Sequence, residues 1–237
     1  MQGPSFFIVL LLLLVIFIIY RECSYGYGAD RSGRNGMANL ERWSIFKKHV
    51  GYEARDKVPI CNPVDGHCYP VVKDFGNPQE ASEKLAAINR FCIRVLRHLR
   101  RKYIFESNLP EISIHRKIFV ERLLRNYNPD NLVENNPPTT ENTSYVDDKG
   151  KVFAMCLREK QSGKGNFHSM HELEFVALHE MTHLGTQSYE HDPEFWDNFK
   201  FLLQETNDSG LHIPADYSAN PINYCGLHVD SSPFYDL

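Results

Sequence analysis

The sequence predicts an α+β domain behind an apolar N-terminal segment. Three features predict it: two long amphipathic helix patterns, short alternating runs separated by turn residues, and a run of apolar side chains near the start. At 237 residues the chain can bury one sizeable core but not two full domains. The formal net charge of −4 disfavours bulk attraction to nucleic acid and is silent about a local basic face.

Phe6 to Tyr20 is an unbroken stretch of Phe, Ile, Val, Leu and Tyr, a length between a secretory signal and a membrane span. Met1 to Ser5 lacks Lys and Arg, and no small-residue cleavage site follows Tyr20, so an uncleaved anchor is favoured. Arg21, Arg31 and Arg34 follow the segment, which by the positive-inside rule puts the body in the cytoplasm. The expected division is a transmembrane anchor over 1–21, a Gly-rich flexible linker over 22–38 and one catalytic domain over 39–237.

Within the body, Asp65-Gly66 marks a hairpin with arms Val58 to Val64 and His67 to Val72, weakened by three prolines. Asn77-Pro78-Gln79-Glu80 opens a helix through Leu85, Ile88, Cys92, Val95, Leu96 and Leu99. A second helix near Ile114 to Asn126 offers Ile118, Val120, Leu123 and Leu124 to the core. These two helices also carry Arg90, Arg94, Arg97, Arg100, Arg101, Lys102, Arg116, Lys117, Arg122 and Arg125. Such a set reads first as a solvated face and second as a surface for nucleic acid or anionic lipid. Thr143 to Val146, the turn Asp147 to Gly150 and Lys151 to Leu157 read as strand, turn and strand, and a helix follows from about Met170 to Leu184.

That last helix contains His179-Glu180-Met181-Thr182-His183. Histidines four apart stack one turn above the other, so both imidazoles can reach one ion. Zinc suits such nitrogen ligands, and a catalytic site needs a third protein ligand while leaving a position for water. Glu180 stands beside a ligand without having to be one, which suits it to relay a proton. Beyond Gly185 the candidates for the third ligand are Glu190, His191, Asp192 and Glu194. His191 is preferred, because Asp192-Pro193 caps a new helix and holds it at a fixed corner, and Glu205 stays open as an acidic alternative. His168 and His171 fit no ligand pattern.

Of six cysteines (Cys23, Cys61, Cys68, Cys92, Cys156, Cys225), none forms a Cys-x-x-Cys pair. In a cytoplasmic body they are expected as packed thiols; in a lumenal one they suit disulfides, with sequons at Asn142 and Asn207. Tyr189, Tyr217 and Tyr224 are equal candidates for an oxyanion donor.

The run Ala177 to His183, followed by His191-Asp192-Pro193-Glu194-Phe195, resembles the WLM and SprT-like metallopeptidases. A closer similarity covers the motif core 143–226: Thr143-Ser144-Tyr145, Cys156-Leu157-Arg158, Tyr217-Ser218-Ala219-Asn220-Pro221 and Tyr224-Cys225-Gly226. It points to the WLM-type, often membrane-anchored metallopeptidases of nucleocytoplasmic large DNA viruses. The resemblance implies a zincin-like fold, zinc held by His179, His183 and His191, and Glu180 as acid and base. It also implies a protein or peptide substrate whose backbone pairs with an edge strand, expected at Lys151 to Leu157. Cellular relatives cut proteins crosslinked to DNA, a setting from which the anchor and acidic balance depart. The rival expectation is an inert, membrane-anchored viral structural protein that keeps the fold without turnover.

Overall fold

The computed structural model describes residues 56–106, 114–135, 143–159 and 166–235. The expected anchor and linker, together with Cys23 and Asn142, lie outside the described residues. Among the described residues no helix is long and apolar enough to cross a membrane.

The chain is mixed α and β, with four α-helices and three small sheets among the described residues. Strands β1 (Lys57–Cys61) and β2 (Cys68–Val72) form an antiparallel hairpin as expected, but its arms close at Cys61 and Cys68, so residues 62–67 form the connection in place of a two-residue Asp65-Gly66 turn. Gly66 adopts φ 73 in its turn, a backbone that glycine takes without steric cost. The register sets Cys61 opposite Cys68, and the two are joined as a disulfide. A second disulfide joins Cys156 to Cys225, and only Cys92, buried in the core, is a free thiol among the described residues. The expectation of packed thiols is thus corrected for four cysteines. Cross-strand register brings the sulfurs together in one case and tertiary packing across a sequence separation of 69 in the other, and neither is visible in local spacing.

Helix α1 (Pro78–Arg100) runs through the core on Leu85, Ile88, Phe91, Cys92, Val95 and Leu99. Asn77 precedes it in the left-handed region at φ 56, and its side chain makes no cap, so the helix opens on Pro78 alone. Arg90, Arg94, Arg97 and Arg101 are exposed on the flank opposite the core, spanning about 60° of arc at 100° per residue. The remaining basic set divides. Arg116 pairs with Asp197, Lys102 with Glu205, and Arg122 reaches Gln187 and Glu194. Helix α2 (Ile114–Asn126) buries Phe119, Val120 and Leu123, while Ile118, expected inside, is exposed because the helix is phased on Phe119.

Strands β3 (Leu132–Asn135), β4 (Tyr145–Asp147) and β5 (Val152–Cys156) form a sheet of order β3-β5-β4, with β3 parallel and β4 antiparallel to β5. The strand expected at the edge, β5, is therefore central and buried at every position, as its unbroken apolar run Val152-Phe153-Ala154-Met155-Cys156 requires. The outer strands are β3 and β4. Glu134 on β3, fully buried, pairs with Arg158 at 2.8 Å and accepts the Val72 amide at 2.8 Å, which ties the hairpin to the sheet.

Helices α3 (Met170–Gly185) and α4 (Pro193–Asp208) follow, and a short hairpin, β6 (Ile222–Tyr224) and β7 (Leu227–Val229), completes the described chain. Gly185 ends α3 one residue past the expected limit of Leu184, and its role is packing. A Cβ there would collide with the Phe119 ring, so glycine lets α2 and α3 approach closely.

Candidate metal centre

Helix α3 starts on a capping box. Ser169 Oγ accepts the Glu172 amide at 3.2 Å, and Glu172 accepts the Ser169 amide at 2.9 Å. The helix then buries Leu173, Ala177, Leu178, Met181 and Leu184, which leaves His179 and His183 on one flank. Asp192 accepts the Phe195 amide at 2.9 Å and caps α4, which fixes the corner that carries His191.

The three imidazoles converge. His191 Nε2 lies 3.0 Å from His179 Nε2 and 3.1 Å from His183 Nε2. Nitrogens at about 2.0–2.1 Å from a tetrahedral zinc stand roughly 3.3 Å apart, so this spacing matches a shared ion. Three neutral imidazoles that direct the same nitrogen at one point cannot satisfy one another by hydrogen bonds, because each offers either a proton or a lone pair there. A cation resolves that conflict. Burial, and then the neighbouring imidazoles, holds His179 well below the ordinary histidine value. Burial first and the charge of His191 next push His183 down to about 4, and burial lowers His191. All three are held as the neutral ligands that a metal requires.

Phe195 and Phe199 floor the site, their ring centres 4.9 and 5.2 Å from that of His179, and Phe195 lies 4.4 Å from His183. Glu180 is buried, its Oε2 has no partner, and burial pushes its carboxyl up to about 8. An unpartnered carboxylate oxygen beside three convergent imidazoles is costly unless a cation or a reacting group satisfies it. The donor set therefore fits a divalent ion of zinc's kind.

A cleft of about 230 Å³ opens over these groups, lined by Ser144, Tyr145, Val146 and Lys149 together with His179, Glu180, His183, Tyr189 and His191. All four sequence-predicted site residues are thus gathered in one place, and Glu205, His168 and His171 are not among them. Glu205 accepts from Lys102 at 2.7 Å and Tyr103 at 2.8 Å and contacts His98 at 2.9 Å, a separate buried cluster. His168 is buried, and its Nε2 accepts the Cys225 amide at 3.2 Å. His171 Nε2 meets the Ile213 carbonyl at 2.7 Å.

Of the three tyrosines only Tyr189 lines the cleft. The Tyr224 hydroxyl donates to the Cys156 carbonyl at 2.6 Å and meets Ser144 Oγ at 2.8 Å, and Tyr217 is buried against Phe175. Lys149 and Ser144 belong to the cleft although the sequence assigned neither a site role: Ser144 entered only through the resembled run Thr143-Ser144-Tyr145, and Lys149 only as part of the turn before the motif.

No family model and no solved structure matches this chain. It is similar to the uncharacterized protein R325 of Acanthamoeba polyphaga mimivirus, with 29% identity over 160 residues, 68% of this chain and 76% of that protein. It is also similar to the uncharacterized protein 136R of Invertebrate iridescent virus 6, with 33% identity over 82 residues, 35% of this chain and 44% of that protein.

Proposed function

We propose that this chain is a zinc-dependent metallopeptidase of zincin-like fold, anchored to a membrane by residues 6–20. The observation that carries the reading is the meeting of three imidazole Nε2 atoms beside a buried, unpartnered Glu180 oxygen within one open cleft. His179, His183 and His191 hold the ion. When bound, zinc supplies a Lewis acid and brings the pKa of water down to about 7.

The chain's own groups supply the rest. Glu180, inside the cleft with its Oε2 unpartnered, takes a proton from water at a carboxylate oxygen and returns it to the departing amine nitrogen. The aromatic floor excludes water from the far side of the imidazoles. Strand β4, an outer strand whose Tyr145 and Val146 line the cleft beside Ser144, is the strand we assign to an extended protein or peptide substrate. Cystines persist in oxidising surroundings, which favours the non-cytoplasmic side of the membrane over the cytoplasmic placement that the flanking arginines suggest. Protease added to sealed membranes decides this, since a body on the protected side resists digestion.

The test compares zinc content and peptide cleavage in the full chain with Glu180→Gln and His191→Ala. Glu180→Gln is expected to keep its metal and lose about 10²- to 10⁴-fold in turnover. His191→Ala is expected to bind zinc measurably more weakly, with His179 and His183 left to hold the ion. One equivalent of zinc in the wild type with no cleavage of any protein substrate supports the inert scaffold instead.

A further inference from the structure

Carbonyl groups left over at the end of α3 are collected by two side chains from outside the helix. Asn126 Nδ2 donates to the Leu184 carbonyl at 2.8 Å. Lys149 Nζ donates to the carbonyls of His183 at 3.3 Å, Thr186 at 2.9 Å and Ser188 at 2.7 Å. An ammonium has three N–H donors, and here all three are engaged. The Tyr189 ring lies over the same ammonium, 4.0 Å from ring centre to Nζ. Lys149 therefore lines the cleft without a hydrogen to offer a substrate; its contacts go to the segment between two of the imidazoles.

The turn that carries Lys149 is built for this reach. Asp148 and Lys149 adopt φ 43 and φ 50, left-handed values that non-glycine residues rarely take, followed by Gly150 at φ 104. A Cβ on Gly150 would collide with the Asn126 carbonyl, and the Gly150 carbonyl accepts from Asn131 at 2.6 Å. Asp147 accepts the Asp148 amide at 2.8 Å. The turn is thus fixed to the end of α2 and to the residues before β3, and a strained backbone held from three sides directs one ammonium at one segment.

We propose that Lys149 is the positioning residue of the centre: it fixes the backbone from His183 to Ser188 so that His191 arrives at the nitrogens of His179 and His183. The proposal rests on the three-histidine metal reading. Two ligands lie on one helix and need no outside help to face one ion, whereas the third lies beyond a segment outside any helix or strand, which Lys149 spans.

The experiment measures zinc affinity by chelator competition, and the visible spectrum of the cobalt-loaded site, in full-length detergent-solubilised protein. Lys149→Met is expected to weaken zinc about 10- to 100-fold, as loss of a ligand-orienting contact does, and to change the cobalt spectrum. Lys149→Arg is expected to recover most of the affinity. In a His191→Ala background, Lys149→Met is expected to cost nothing further, because the ligand it positions is gone.

Affinity within twofold of wild type in Lys149→Met overturns the proposal. So does an equal loss in both backgrounds, which would mark a general loosening of the fold. Should Lys149→Met fail to fold, Lys149→Gln takes its place in the same cycle. Wild-type protein that binds no metal removes the metal reading itself, an outcome distinct from failure of Lys149 alone.

Discussion

Glu180 and the histidines set opposite demands on pH in the metal-free protein. The Glu180 carboxyl is raised from 4.5 to about 8, so its folded form prefers the proton. Its contribution to stability is complete below the ordinary carboxylate range and is lost as pH rises through about 8. His183 is depressed from 6.5 to about 4, so its contribution is complete above 6.5 and is lost as pH falls through about 4. Apoprotein is accordingly expected to lose stability toward both ends, and Glu180→Gln to remove the alkaline loss alone, as read by denaturant midpoints between pH 6 and 9. Because burial lowers all three histidines, the loss of zinc affinity in acid is expected to begin below the ordinary histidine value of 6.5, which a chelator titration at stepped pH reads. These residues were legible in the sequence because the chemistry of the motif is local: His179, Glu180 and His183 sit within one helical turn and a half, and His191 is marked by the cap that follows it.

At the level of elements, α3 is placed by a cap at one end and a glycine at the other. Ser169→Ala removes the capping box and is expected to cost about 1 kcal/mol. Gly185→Ala drives a methyl into Phe119 and is expected to cost roughly 1–3 kcal/mol by overpacking, visible in urea midpoints. The larger loss should come with weakened zinc binding, since Gly185 adjoins the carbonyls that Asn126 and Lys149 collect. Helix spans were readable from periodicity, and α2 matches its expected limits of Ile114 and Asn126. Its phase was not, because Ile118 and Phe119 are equally apolar and only the space beside Gly185 decides which turns inward. The sheet was readable as strand, turn and strand, and the one local sign that β5 is central, its unbroken apolar run, does not say which strand is its second neighbour. Its second neighbour, β3, follows α2 and lies beyond the range of any local pattern.

Across the whole molecule, the contacts that escaped the sequence are those made between distant segments: Glu134 with Arg158, Lys149 with the end of α3, and the two cystines. Zinc at a thousand times its dissociation constant is expected to stabilise the fold by about 4 kcal/mol, so chelation should lower the melting temperature of wild type far more than that of His191→Ala. Loss of the Cys156–Cys225 cystine is expected to cost about 2–5 kcal/mol. Reducing agent should therefore lower the denaturation midpoint of wild type and leave a Cys156→Ser, Cys225→Ser, Cys61→Ser, Cys68→Ser variant unmoved. That same cystine has a further consequence through its neighbours. Cys156 accepts Tyr224 at its carbonyl and donates its amide to Ser144, a residue of the cleft wall. Synthesis alone does not finish this molecule: the last tie between the C-terminal hairpin and the cleft wall waits on an oxidant. Protein produced in a reducing bacterial cytoplasm is expected to carry its three imidazoles and still be an immature form, with maturation supplied afterwards by air or by an added thiol oxidase.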